Sequence, residues 1–462
     1  MNQNRSVVDL DAKLKQYKEK GVKRVKLAIT DVDGVLRGKY VSLEKFASLF
    51  KNGGGFCDCV FGWDVVDILY DNSKFTGWHT AYPDAQYQLD ISTERWLEDE
   101  NIPFFLADFI GPENKSDHPV CPRNVFKRVL KKAEQMGFGA HLAFEYEFFL
   151  FDETSHSIRE KNYRNLTPLT PGMFGYSVLR NSTYADLFNE FMDYCLSLDI
   201  PIEGLHCETG PGVWEAAIAY DEALNAVDKA VLFKTFTKVF FQKRGIVPTF
   251  MARWNLEYPG QSGHIHQSLI QKSSGKNAFH QDSAEFNMSE TMRSYVAGQL
   301  KYIKSFLALA APTINSYTRL VKGFWAPTAA TWGVENRTTS LRVIPGSEKS
   351  QRVEFRVGSA DANPYLAAAA VLGAGLLGIE EGLILSDPVQ GNAYEVQDQL
   401  STEQQFPTNL ADSVRNLKNS PVASRIFGEQ FVDHYVRTRE WEVREHEKAI
   451  TDWQLKRYFE II

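Results

Sequence analysis

Cysteine is scarce in this 462-residue chain, with five thiols at positions 57, 59, 121, 195 and 207. An odd, scattered set argues against a disulfide framework, and Cys57 and Cys59 stand too close for the usual CxxC metal spacing. Long apolar runs are missing too. The longest, Tyr365 to Ile379, is too short to span a bilayer. The N-terminal MNQNRSVVDLDAKLKQYKEK has no hydrophobic signal core, so a cytoplasmic enzyme is expected. Positive charge is in deficit: the formal net charge is −7 and no Lys/Arg cluster stands out, which argues against a nucleic-acid binder. There is no Walker A sequence, internal repeat or low-complexity tract. Gly373, Gly375 and Gly378 do spell G-x-G-x-x-G, but inside the alanine-rich apolar run rather than between a strand and a helix. Close helix packing is the better reading of those glycines.

What is present is an ordinary soluble composition, 44% hydrophobic and 24% charged, in a chain long enough for two or three domains. Residues 8–20 read as a short helix ending at Gly21. VKRVKLAITDVDGVLRGKYV then reads as two strands turning at Asp33-Gly34. Strand-rich chain continues to the loop GPENKSDHP, and Pro119 and Pro122 frame a boundary before the amphipathic helix RNVFKRVLKKAEQMGF. The expected organisation is α+β, with a small N-terminal domain over 1–115 and a large catalytic domain over 120–462. In the latter, helices near 184–198 and 221–242 alternate with strands that carry polar residues at every second position. That pattern predicts an antiparallel sheet or open barrel with one functional face. From about residue 408 the chain reads as helical and charge-rich.

Four stretches carry the chemistry. In LAFEYEFFLF, Glu145 and Glu147 sit two apart and share a strand face with Ala143, Phe149 and Phe151. Two like charges in apolar surroundings are costly unless a cation joins them; the alternative is a strand edge whose glutamates reach water. In HCETGPGVWEAAI, Glu208 and Glu215 bracket a Gly-Pro-Gly turn. In SGHIHQSLI, His264, His266 and Ser268 share one face, and in QRVEFRVG so do Arg352, Glu354 and Arg356. One such strand would be ordinary amphipathicity. Together the four supply five glutamates with histidines and arginines beside them, a donor set suited to Mg²⁺ or Mn²⁺. Arg319, Arg337, Arg342, Lys349, Arg352 and Arg356 follow within about forty positions. Guanidinium forks bind phosphate and carboxylate oxygens in pairs, which together with divalent ions suits phosphoryl transfer from ATP. Surface ion pairs are the plainer reading of those arginines.

These stretches, in this order and with NSYTRL, NRTTSLR and NPYLAAAA, resemble the glutamine synthetases over nearly the whole chain. The resemblance implies a β-grasp N-terminal domain on TDVDGVLRGK and a glutamine-synthetase catalytic domain. It implies that Glu147, Glu208 and Glu215 hold one divalent ion and Glu145, His264 and Glu354 a second, near the ATP phosphates. Arg319 and Arg356 would grip glutamate. Arg337, Arg342, Lys349 and Arg352 would bind phosphate, and Glu203, His266 and Ser268 would lie on the nucleotide side. The chemistry implied is formation of γ-glutamyl phosphate from ATP and L-glutamate, then attack by an amine. Ring-shaped homo-oligomers with sites shared between subunits are implied as well.

The departures bear on the amine. Ammonia-using members carry a glutamate six residues after the arginine of NSYxRL, where this chain has Trp325. The family's FDGSS stretch has no clear match in GFCDCVFGWD, although Asp58 and Asp64 are nearby candidates. Gly212-Val213 replaces a Gly-Gln pair, and the basic residue usually found near the family's ATFMAK is Arg253 here. An indole offers an apolar wall and a cation–π face. The resemblance therefore shifts toward γ-glutamylamide and γ-glutamylpolyamine synthetases. Ordinary glutamine synthetase is the first alternative and a non-catalytic structural relative the second.

Overall fold

Two sheets organise the computed structural model, which describes residues 10–111 and 117–462. The loop expected at the domain boundary lies partly outside the described residues, at 112–116.

The first sheet has six strands. Its path runs Leu36–Ser42, Arg24–Thr30, Ile102–Phe109, Asp84–Leu89, Gly54–Cys57, and Arg95–Leu97 pairs with Ile102–Phe109. The opening hairpin forms as its Asp-Gly turn predicts. The Asp31 carboxylate accepts the N–H groups of Asp33 (3.0 Å) and Val35 (2.9 Å), and Gly34 takes φ +84°, a region that costs glycine nothing. Helix Leu43–Asn52 packs on this sheet through Phe46 and Leu49, started by the Ser42 hydroxyl, which accepts the Lys45 N–H.

The second sheet has nine strands. Its path runs Trp332–Val334, Leu341–Ile344, Arg352–Phe355, Gly263–Gln271, Phe138–Phe151, Val213–Ile218, Ile202–Cys207, and every pairing except the first is antiparallel. The long strand Phe138–Phe151 alternates as its sequence requires. Leu142, Phe144, Tyr146, Phe148 and Leu150 are buried in the main core, against helices such as Ala223–Gln242, while Glu145 and Glu147 turn to the other face. At the end of that face, Phe149 and Phe151 form a small separate cluster with Val213 and Trp254.

Helix Pro364–Glu380 is buried on nearly all sides, and its glycines serve packing. A Cβ on Gly375 would stand 2.1 Å from the Tyr295 ring, and one on Gly378 would stand 2.1 Å from the Ser294 carbonyl. Its N-cap, Asn363, accepts the Tyr365 N–H and donates to the carbonyls of Asp31 (3.2 Å) and Val32 (3.0 Å), so the first hairpin is fastened to the second sheet's scaffold. A buried ion network adds a second fastening. Arg123 bonds Asp90 (2.9 Å), Asp108 (2.7 Å) and Asp228 (2.7 Å), and the Tyr365 hydroxyl donates to Asp228 (2.6 Å). Removing Arg123 would leave the buried Asp228 carboxylate without its countercharge.

Candidate active site

The strand register decides which side chains meet. Glu145 lies opposite His264 and Glu147 opposite Glu215; His206 is also opposite Glu215, and Glu354 opposite both His266 and Arg342. Directly opposed side chains stand about 5 Å apart at Cβ, and like charges so placed repel. Six strands thus bring their polar faces to one patch.

Glu145 is the centre of this patch. It lies 3.4 Å from His264 Nδ1 and 3.0 Å from His266 Nε2. Burial would raise its carboxyl, but hydrogen bonds from the two imidazoles overcome this and hold it well below the usual range. Glu354, almost fully buried, bonds Arg356 and accepts from Arg342 at 3.1 Å. Burial raises it as well, while His264 and Arg356 bring it below its ordinary value. Glu208 is 3.0 Å from His206 Nε2, whose bond to it outweighs burial and lowers it.

Glu215 and Glu147 differ. Burial, then the charges of Glu147 and Glu145, push Glu215 well above the ordinary glutamate value. Burial and Glu208 raise Glu147 despite the Ser262 N–H at 2.5 Å. Protein groups answer their charge only in part: Glu147 has the Ser262 N–H and the Arg319 charge, and Glu215 has His206 Nε2 at 3.6 Å. His264 adds a buried Nε2 with no hydrogen-bond partner.

Three groups have ligand atoms within 4.8 Å of one another: Glu145, His266 and Glu354; Glu145, Glu215 and His264; and His206, Glu208 and Glu215. Carboxylate oxygen with an occasional imidazole is the donor chemistry of Mg²⁺ and Mn²⁺, so these residues fit such an ion. Glu147 belongs to none of the three groups, although its charge reaches Glu215.

Two cavities meet at this patch, and Glu145 lines both. One, about 700 Å³, holds all five glutamates with Arg319, Arg337, Arg342 and Arg356. Arg319 is buried and its two terminal nitrogens donate to the carbonyls of Val357 (2.9 Å) and Arg356 (3.2 Å). Burial lowers it to about 10, which leaves it charged at neutral pH. Arg356 donates to the Arg337 carbonyl at 3.1 Å, and Arg337 itself is exposed. The other cavity, about 710 Å³, gathers Glu203, His266, Ser268, Lys349 and Arg352, with Arg352 Nε donating to His266 Nδ1 at 3.3 Å.

All fifteen site residues expected from sequence therefore lie around these two spaces. Among the lining residues not anticipated are His206, Tyr176 and Phe324. His206 shares the strand alternation of Glu208, so the motif HCE carried a usable signal for it. Tyr176 and Phe324 come from loops, where no periodicity marks them. Trp325 lines the same cavity. Neither Asp58 nor Asp64 is among its lining residues. Asp58 accepts from the Thr76 hydroxyl at 2.7 Å, and Asp64 accepts the N–H groups of Val66 and Ile68 and the Trp441 indole N–H.

Residues 119–458 match the family model of the glutamine synthetase catalytic domain. The chain belongs to the glutamine synthetase family. It is 46% identical to type-1 glutamine synthetase 2 of Dictyostelium discoideum, over 95% of this chain and 84% of that one. It is 35% identical to the glutamate–isopropylamine ligase of a Pseudomonas species, over 97% and 98% respectively. Among solved structures it resembles GmaS without ligand, with TM-score 0.83 and 26% identity over 97% of this chain and 99% of that one.

Glu215→Gln should separate stability from ion binding. Its raised carboxyl opposes folding at neutral pH, because the unfolded chain ionises this group more readily. Without divalent ions, the variant should be as stable as the parent or about 1 kcal/mol more so. The thermal upshift that Mn²⁺ gives the parent should largely disappear. Equal Mn²⁺ upshifts in the two proteins, read by differential scanning fluorimetry, would refute a ligand role for Glu215.

Proposed function

We propose that this chain is an ATP-dependent ligase that joins the γ-carboxylate of L-glutamate to the nitrogen of an organic amine. The observation that carries this is the junction: an arginine-lined cavity and a second polar cavity open on either side of one carboxylate–imidazole cluster. A γ-carboxylate oxygen attacks the terminal phosphorus of ATP, giving γ-glutamyl phosphate and ADP. The amine nitrogen then attacks the carbonyl carbon, the C–N bond forms, phosphate leaves and the nitrogen loses a proton. Divalent ions, when bound, neutralise phosphate charge.

In this reading Glu147, Glu208 and Glu215, joined by His206, hold one ion, and Glu145, His264 and Glu354 hold another. Arg319 and Arg356 would grip a substrate carboxylate. Arg337, Arg342, Lys349 and Arg352 steady the phosphates as forks or point charges. Glu203, His266 and Ser268 take the nucleotide side.

Trp325 favours an organic amine over ammonia, because it puts an indole where an anionic flap would bind ammonium and accept its proton. The relative named for isopropylamine supports this; the relative named as a glutamine synthetase keeps ammonia as the second reading. Phosphate release should require ATP, glutamate, an amine and Mg²⁺ or Mn²⁺ together. Glu147→Ala and His264→Ala should each reduce it at least 100-fold without changing the far-ultraviolet circular dichroism. Full turnover after exhaustive chelation, or in both variants, would sink the proposal.

We also propose that copies assemble into a closed ring with the N-terminal domain against a neighbour's large sheet. Val65, Val66 and Ile68 form an exposed apolar tip there, which such a contact would cover. Light scattering should give a mass several times 52.5 kDa; a fully active monomer would contradict the ring.

A further inference from the structure

We propose that Glu335 is an internal competitor for phosphate: its carboxylate holds the Arg342 fork until ATP takes it, and so sets how tightly the nucleotide binds. This rests on the ligase reading, in which Arg342 is one of the phosphate-binding residues.

Two carboxylates share one guanidinium. Arg342 Nε donates to Glu335 at 2.9 Å and its Nη2 reaches the same oxygen, while Nη1 donates to Glu354 at 3.1 Å. The edges of the fork that a phosphate would use are thus engaged by anions already. The two carboxylates are not equivalent. Glu354 is almost fully buried, is bonded by Arg356 as well and belongs to the central cluster, so moving it would dismantle the candidate ion site. Glu335 follows the strand Trp332–Val334, and within the chain Arg342 is the sole partner of its carboxylate among the described residues. Glu335 is therefore the group that gives way. Both residues belong to one chain, so the pair does not depend on what a neighbouring subunit lays over the cavity.

The backbone beneath Glu335 is fixed, so release needs only a side-chain rotation. The Glu335 N–H donates to the Val343 carbonyl at 2.9 Å. The Asn336 side chain donates to the Gly391 carbonyl at 2.7 Å and accepts the Thr338 N–H at 3.0 Å. Glu335 takes φ +50°, the left-handed region, without being glycine. Such residues persist where the surroundings over-determine them, and they cluster at ligand clamps and switches. The same loop delivers Arg337 to the cavity two residues later. A singly charged carboxylate is a weaker occupant of the fork than a polyphosphate steadied by divalent ions at the cluster. While it stays there, apparent ATP affinity falls with the fraction of chains whose fork is free. Its return after phosphoryl transfer would help phosphate leave.

Isothermal titration calorimetry in Mn²⁺, without glutamate, tests this with ATP, inorganic phosphate and adenosine on the parent, Glu335→Gln and Glu335→Ala. Both variants should bind ATP at least about 5-fold more tightly than the parent, and phosphate more tightly too. Adenosine, which has nothing for the fork, should bind all three proteins alike. Added NaCl should shrink the variants' advantage, because it screens the ion pair that the parent must break. Equal or weaker ATP binding in both variants would overturn the proposal and make Glu335 a residue that aims Arg342. An equal tightening of adenosine would overturn it as well, because the effect would not lie at the phosphates. A parent that binds no ATP would overturn the ligase reading and this proposal together, whereas the first two outcomes leave that reading standing.

Discussion

Glu147 and Glu215 face each other across two hydrogen-bonded strands, with Glu145 two residues along and Glu208 past a tight turn. Repulsion among carboxylates fixed at that spacing is the constraint on which the rest of the site depends. The protein answers part of it: His264 and His266 reach Glu145, His206 reaches Glu208, and Arg342 and Arg356 reach Glu354. The remainder stays as raised carboxyls on Glu147 and Glu215. A sheet that only had to fold would relieve this with one amide. Retaining it makes the patch a place where divalent charge is stabilising, and the arginines on the neighbouring strands then make it a place for phosphate.

The surrounding architecture holds these strands at a fixed spacing. The odd face of Phe138–Phe151 can be polar because its even face is locked into a phenylalanine-rich core, where Phe148 contacts Phe191, Phe233, Phe241 and Phe250. Asn363 and the Arg123 network tie the first sheet to that core, so the N-terminal hairpin is fixed relative to the site. Aromatic side chains from loops, Tyr176, Phe324 and Trp325, then line the same cavity.

Much of this was legible in the sequence, for physical reasons. Period-two alternation fixed which residues of FEYEFFLF, SGHIHQS and RVEFRV share a face, and the Asp-Gly turn marked the first hairpin. Strand pairing was not legible, because nothing local states that Glu147 lies opposite Glu215. The geometry sets His206 with Glu208 and Glu215, and leaves Glu147 outside the three groups whose ligand atoms lie within 4.8 Å of one another. Tyr176 and Phe324 lie in irregular loops, and Tyr176 takes φ +58°, a conformation that no pattern of side chains announces. Asp58 and Asp64 lie in the stretch GFCDCVFGWD, where the family's FDGSS has no clear match; within one chain Asp58 accepts from Thr76, and Asp64 accepts from Val66, Ile68 and Trp441.

The need for cations at the cluster is tested most directly by anomalous diffraction from crystals grown with Mn²⁺. Two strong peaks are expected in each chain, one within reach of Glu145 and His264 and one within reach of Glu208 and Glu215. Manganese found only at exposed carboxylates, with the central cluster empty at saturating concentration, would contradict it.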